Sequence, residues 1–107
     1  MTARGQTAAP TLDEVMQILR AHLPELRQTH SVKSLAVFGS YVKGRQHRRS
    51  DLDLLVQFDE GAHMTLFRFV ALEEHLNEIL GVKVDLVMKS ALRPTIGKRI
   101  LAEAVPV

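Results

Sequence analysis

Cysteine and tryptophan are both missing from this chain, and it has one tyrosine and four phenylalanines in 107 residues. Without cysteine there can be no disulfide, no thiolate metal centre and no cysteine nucleophile, which accords with a reducing, cytoplasmic setting. No apolar run approaches the roughly 18 residues a bilayer-spanning helix needs, and no basic-then-apolar leader opens the sequence, so no membrane association is expected. An excess of one charge is absent as well. Fourteen Lys and Arg stand against twelve Asp and Glu, a net charge of +2, so bulk electrostatics do not suggest nucleic acid as a direct partner. What remains is ordinary globular composition, 46% hydrophobic and 24% charged, in a length that suits one hydrophobic core.

Residues 1–10, MTARGQTAAP, are small and polar and read as a flexible tail, leaving residues 11–107 as a single domain. Thr11 and Glu14 form a capping-box pattern ahead of Leu12, Val15, Met16, Leu19 and Leu23 at helical spacing. Pro24 is expected to break or restart this helix, whose second half runs to about His30. The run VKSLAVFG, residues 32–39, reads as a central strand buried on both faces. DLDLLVQF, residues 51–58, alternates: Leu52, Leu54, Val56 and Phe58 take one face, and Asp51, Asp53, Leu55 and Gln57 the other. A helix over 64–80 follows through Leu66, Phe69, Val70, Glu73, Leu76 and Leu80, with Gly81 placed to end it. The strand VKVDLVMK repeats the alternation, setting Asp85 with Lys83, Val87 and Lys89. A last helix starts after Pro94, with Ile96, Ile100, Leu101 and Ala104 inward and Gly97 weakening it by up to about 1 kcal/mol. The order α–β–β–α–β–α predicts an α/β (α+β) domain, a small mixed sheet with helices on one face.

Period two puts the carboxylates of Asp51 and Asp53 on one face. Asp85 joins them if the two alternating strands are neighbours in register. Carboxylates packed together repel, so one takes up a proton unless a cation is present, and a hard divalent ion such as Mg²⁺ resolves the conflict with oxygen ligands. Solvent-facing strand aspartates are the simpler reading of Asp51-Leu52-Asp53 taken alone. Gly39-Ser40 adds weight to the first reading, because a strand running into Gly-Ser can cradle a phosphate with backbone N–H groups and a hydroxyl.

Gly39-Ser40, Gly44-Arg45, Ser50-Asp51-x-Asp53 and Asp85 together resemble the nucleotidyltransferase signature of the DNA polymerase β superfamily. More closely, they resemble its minimal nucleotidyltransferases (MNT), small single domains that act as antitoxins beside HEPN-domain toxins. The resemblance covers everything except residues 1–10. It implies that Asp51, Asp53 and Asp85 hold Mg²⁺, with two ions about 3.5–4 Å apart clamping the attacking and leaving oxygens. Asp85 would also orient or deprotonate the attacking hydroxyl, and Gly39 and Ser40 would bind the triphosphate. Lys43 and Arg45, just past that turn, could meet the triphosphate or departing pyrophosphate, and Ser50 would fix the loop. For His47, Arg48 and Arg49 a solvated loop is the simpler role. Tyr41 either stacks near the base or packs. His22, His30, His63 and His75 show no ligand spacing and are expected at surface or edge positions.

The activity implied is transfer of AMP from ATP to a hydroxyl of a HEPN ribonuclease toxin, a tyrosine in some members. Neutralisation by binding alone, or a small-molecule or RNA acceptor, are the alternatives. The open sheet edge and the apolar last helix, RILAEAV, suit either self-association or a hetero-complex, or else packing of that helix into the core.

Overall fold

The computed structural model describes residues 9–47 and 49–107. Its elements are α1 (Leu12–His30), β1 (Val32–Phe38), a 3₁₀ turn (Gly39–Tyr41), β2 (Leu52–Phe58), α2 (Leu66–Leu80), β3 (Val84–Met88), a second 3₁₀ turn (Lys89–Ala91), α3 (Pro94–Glu103) and β4 (Val105–Pro106). The flexible tail expected at residues 1–10 falls for the most part outside the described residues, as does Arg48. Among the described residues, no helix is long and apolar enough to cross a membrane.

α1 begins as its sequence dictates. The Thr11 N–H donates to Glu14 Oε1 at 2.8 Å and the Glu14 N–H to Thr11 Oγ1 at 3.1 Å, so two orphan donors are satisfied reciprocally. Pro24 does not break it: the helix is continuous from Leu12 to His30. A proline inside a helix costs about 3 kcal/mol. Here Val15, Met16 and Leu19 before it and Leu26 after it all enter one core, and burial at about 1.5–3 kcal/mol per large side chain outweighs the break.

The strands form one mixed sheet in the order β3-β2-β1-β4. β1 runs antiparallel to β2, pairing Leu35 with Val56, Ala36 with Leu55, Val37 with Leu54 and Phe38 with Asp53. β2 runs parallel to β3, pairing Leu52 with Val84, Asp53 with Asp85, Leu54 with Leu86 and Leu55 with Val87. Because register partners share a face, Leu35, Val37, Leu54, Val56, Val84 and Leu86 make one apolar surface. It packs against Val15, Leu19 and Leu26 of α1 and Leu72, Leu76 and Leu80 of α2. β1 is central, but it is not buried on both faces: Lys33 and Ser34 are exposed and Ala36 and Phe38 half-buried. Among the described residues α1 and α2 cover the core side of the sheet, and the other side of β1 is partly open.

α2 is shorter than expected, and its inward face is the expected one at Phe69, Leu76 and Leu80 but not throughout. Leu72, Leu76 and Leu80 are its buried residues, whereas Leu66 and Val70, expected inward, are 76% and 40% exposed, beside an exposed Phe67. Gly81 ends the helix in the left-handed region, φ 70°, where glycine carries no Cβ penalty. The expected inward set of α3 holds only in part: Ile100 and Ala104 are half-buried, Ile96 and Leu101 are exposed, and Gly97 is its buried residue. A Cβ at Gly97 would stand 3.3 Å from the Leu92 Cβ, so the glycine serves close approach. β4 was not foreseen: two residues, one a proline, carry no strand signature, yet they pair with Ala36 and Val37 of β1.

Three of the five histidines, His22, His30 and His75, spaced without pattern in sequence, gather where α1 meets α2. Glu25 Oε1 lies 3.1 Å from His75 Nε2 and 3.5 Å from His22 Nδ1, and the rings of His30 and His75 stack with centroids 5.4 Å apart. Hydrogen bonds from His75 and His22 hold the Glu25 carboxyl below its usual range, and burial pulls the His30 imidazole down.

Candidate active site

The ladder between β2 and β3 places Asp53 directly beside Asp85, on the face turned away from the core. Asp51 precedes β2 by one residue and is exposed, while Asp53 is half-buried. The electrostatic conflict expected from the sequence is present. Burial, the Asp85 and Asp51 charges and a hydrogen bond with Asp85 push the Asp53 carboxyl up to about 6.

Asp85 is held by a device the sequence did not disclose. β3 is an edge strand, and its outward N–H groups on either side of Asp85 are taken by α2 side chains. The Val84 N–H donates to Asn77 Oδ1 at 2.7 Å, and the Leu86 N–H to Glu73 Oε2 at 3.1 Å. These two bonds cover the edge and hold the backbone that carries the third carboxylate. Helical spacing had set Glu73 inward among apolar residues, and that was the one available signal; for Asn77 there was none.

The other wall is the glycine turn. Gly39 follows Phe38, the residue paired with Asp53, and takes a φ of 79°. A Cβ there would collide with Asp53 Oδ2 and lie 3.1 Å from the Asp53 Cγ, so glycine is required twice, for conformation and for space. The turn closes through Val42 and Lys43 N–H groups donating to the Gly39 carbonyl at 3.1 and 3.2 Å and the Arg45 N–H to the Ser40 carbonyl at 2.9 Å. Ser40 is half-buried and Arg45 exposed. Lys43 reaches Glu103 of α3 at 3.3 Å, which ties the turn to the C-terminal helix. Ser50 pins the loop end: its Oγ accepts from the His47 N–H at 2.9 Å and its own N–H donates to the His47 carbonyl at 2.8 Å. Tyr41 packs, being 1% exposed. Its buried hydroxyl has no partner among the described residues, and burial with the nearby Asp51 charge raises its pKa.

Structure thus brings Gly39, Asp53 and Asp85 into one place, with Asp51 near enough to act on Asp53 and Ser40 next to Gly39, while the Lys43 side chain turns to Glu103. The donor set suits a hard divalent cation: carboxylate oxygens, crowded enough to raise the Asp53 pKa, beside a backbone cradle that a single methyl group would fill. Among the described residues, no three such side chains already converge on one point as a finished metal cage.

Paired carboxylates next to a glycine turn offer oxygen ligands for a cation and backbone N–H groups for phosphates. The model of the nucleotidyltransferase domain family matches residues 19–107, and the chain belongs to that family as one of its minimal (MNT) members. It is 48% identical to the protein adenylyltransferase MntA of Thermococcus cleftensis over 95 residues, covering 89% of this chain and 94% of the relative. A solved structure described as that of a minimal nucleotidyltransferase superposes with a TM-score of 0.73 at 37% identity, over 88% of this chain and 94% of the other. The same fold recurs in a Shewanella oneidensis structure of a tri-AMPylated HEPN toxin in complex with MNT antitoxin. There the TM-score is 0.54 at 18% identity, covering 88% of this chain and 66% of that one.

Proposed function

We propose that this nucleotidyltransferase is an antitoxin that transfers AMP from ATP to a hydroxyl, a tyrosine, of a cognate HEPN ribonuclease toxin in the cytoplasm and thereby silences it. The observation that carries the reading is the Asp53–Asp85 register pair closed against Gly39. The adenylyltransferase name of a 48% identical relative supports the donor, and the AMPylated HEPN toxin bound to an antitoxin of the same fold supports the acceptor.

Asp51, Asp53 and Asp85 would hold Mg²⁺, two ions in the full site, and bound Mg²⁺ supplies charge neutralisation at the transferring phosphorus. The chain's own residues do the rest. Gly39 and Ser40 receive the β- and γ-phosphates on the backbone of the turn. Lys43, now paired with Glu103, and Arg45 lie close enough in sequence to meet the departing pyrophosphate. Ser50 keeps the loop shaped so that Asp51 enters β2 in the right place. The acceptor oxygen bonds to the α-phosphorus, the bond to pyrophosphate breaks, and the acceptor proton passes to Asp85.

One further observation favours a second reading, neutralisation by contact. Leu66, Phe67 and Val70 form an exposed apolar strip on α2 that could mask a toxin surface without chemistry. The test is to incubate the chain with α-labelled ATP, Mg²⁺ and the HEPN protein encoded beside it, and to repeat with Asp51→Asn/Asp53→Asn. AMP transfer predicts label on the HEPN chain, with label and toxin relief both lost in the variant while the complex still forms. Relief that survives in the variant, with no label in either chain, favours masking and rejects transfer.

A further inference from the structure

The register that sets the carboxylates side by side continues beyond them. On the open face Asp53 is followed by Leu55 and Asp85 by Val87, and Leu55 pairs with both Val87 and Ala36. One pleat past the carboxylates lies a cavity of about 230 Å³, lined by Ser34, Ala36, Leu55, Gln57, Lys89 and Leu101 with the chain end of α3 and β4. Its floor is apolar: Leu55 is 4% exposed although it lies outside the main core cluster. Its rim is apolar on the α3 side, where Leu101 is 47% exposed, and polar at the far end. Ser34 Oγ donates to Gln57 Oε1 at 3.3 Å across the far end, where Lys89 also lines the cavity.

The phosphate turn stands at the opposite end of this row, because Gly39 follows Phe38, the partner of Asp53. Displacement at phosphorus keeps entering and leaving oxygens roughly in line. With pyrophosphate leaving over Gly39-Ser40 and the α-phosphorus above the carboxylates, the entering oxygen arrives from the Leu55 side. We infer that the Leu55–Leu101 groove is the acceptor site, taking a tyrosine side chain of a polypeptide, its ring on Leu55, Ala36 and Leu101 and its hydroxyl directed at Asp85. The inference rests on the AMP-transfer reading above and adds where the acceptor lies and why it is a phenol.

The step from Leu55 to Asp53 is about 6.6 Å along the strand, a span a phenol covers and a serine does not. A single-stranded RNA end would want aromatic stacking platforms, and no aromatic side chain lines this cavity. In the step itself the phenol oxygen bonds to the α-phosphorus, the bond to pyrophosphate breaks, and the phenol proton goes to Asp85.

The test needs neither ATP nor a partner. Methyl-labelled full chain is titrated with N-acetyltyrosinamide, and in parallel with N-acetylphenylalaninamide, adenosine and a short oligoribonucleotide. Both amides should shift the Leu55 and Leu101 methyls saturably and leave Leu66, on α2, unmoved. Leu101→Glu should weaken amide binding at least tenfold while Mn²⁺ still broadens signals near Asp53. Methyl shifts caused by adenosine or the oligoribonucleotide instead, no shift up to the amides' solubility limit, or unchanged amide binding in Leu101→Glu would each overturn the assignment. Failure of label transfer from ATP would strike the AMP-transfer reading, whereas failure of these shifts strikes the groove alone.

Discussion

Leu54 and Asp53 are neighbours in β2, yet they look out on different worlds. Leu54 pairs with Val37 and Leu86 and is sealed under α1 and α2; Asp53 pairs with Phe38 and Asp85 on a face with no such cover. One side of the sheet is filled by Leu, Val and Met, and the other carries like charges in contact and a glycine turn. The difference teaches a division of labour. Stability gathered on the core face lets the open face keep a charge conflict that would otherwise be relieved, and that conflict is what makes it a site for a cation and phosphates.

Substitutions can test whether the two faces are separable. The largest stability effect should come from the core side: Leu76→Ala, at a fully buried position, should cost about 2–5 kcal/mol in urea unfolding. AMP transfer per folded molecule should stay near the parent value. Gly39→Ala should cost less stability, about 1–2 kcal/mol for a non-glycine residue in the left-handed region. It should nonetheless remove most Mn²⁺ affinity, because the added Cβ displaces the Asp53 carboxylate. If Gly39→Ala bound Mn²⁺ like the parent, the cradle would have no role in the site.

The smallest effect is one of pH. The Asp53 carboxyl is raised to about 6 from its usual 3.8, so the folded chain holds this proton more tightly than the unfolded one. Its contribution to folding is therefore complete below about pH 3.8 and is lost as pH rises through about 6. Metal-free protein should show this component between those values in urea titrations, and Asp53→Asn should remove it. A cation must displace the same proton, so Mn²⁺ affinity should fall as pH drops below about 6.

Much of this was legible in the residues. Period-two alternation in residues 51–58 and 82–89 separated the carboxylates from the leucines, and the capping box and Gly81 marked helix ends by local hydrogen-bond chemistry. What stayed hidden depends on tertiary context. Pro24 reads as a stop because the local cost is visible and the shared core on both sides is not. Ile96 and Leu101 have the spacing of an inward face, but spacing cannot say that α3 lies beside the open side of the sheet. Asn77 and Glu73 act on Asp85 through the backbone of an edge strand, a relation that exists only once β3 lies at the edge. β4 forms because β1 leaves its other edge unpaired, not because Val105-Pro106 favours a strand.

The central claim, that the register pair beside Gly39 is a divalent-cation site for nucleotidyl transfer, is tested most directly by Mn²⁺ titration of the parent and of Asp53→Asn/Asp85→Asn, read by electron paramagnetic resonance at pH 7.5. Saturable binding in the parent, and at least a hundredfold weaker binding in a variant that unfolds at equal or higher urea concentration, is the result expected from relieving the carboxylate conflict. Equal Mn²⁺ affinity in the two proteins, or a variant that binds poorly only because it has unfolded, would contradict it.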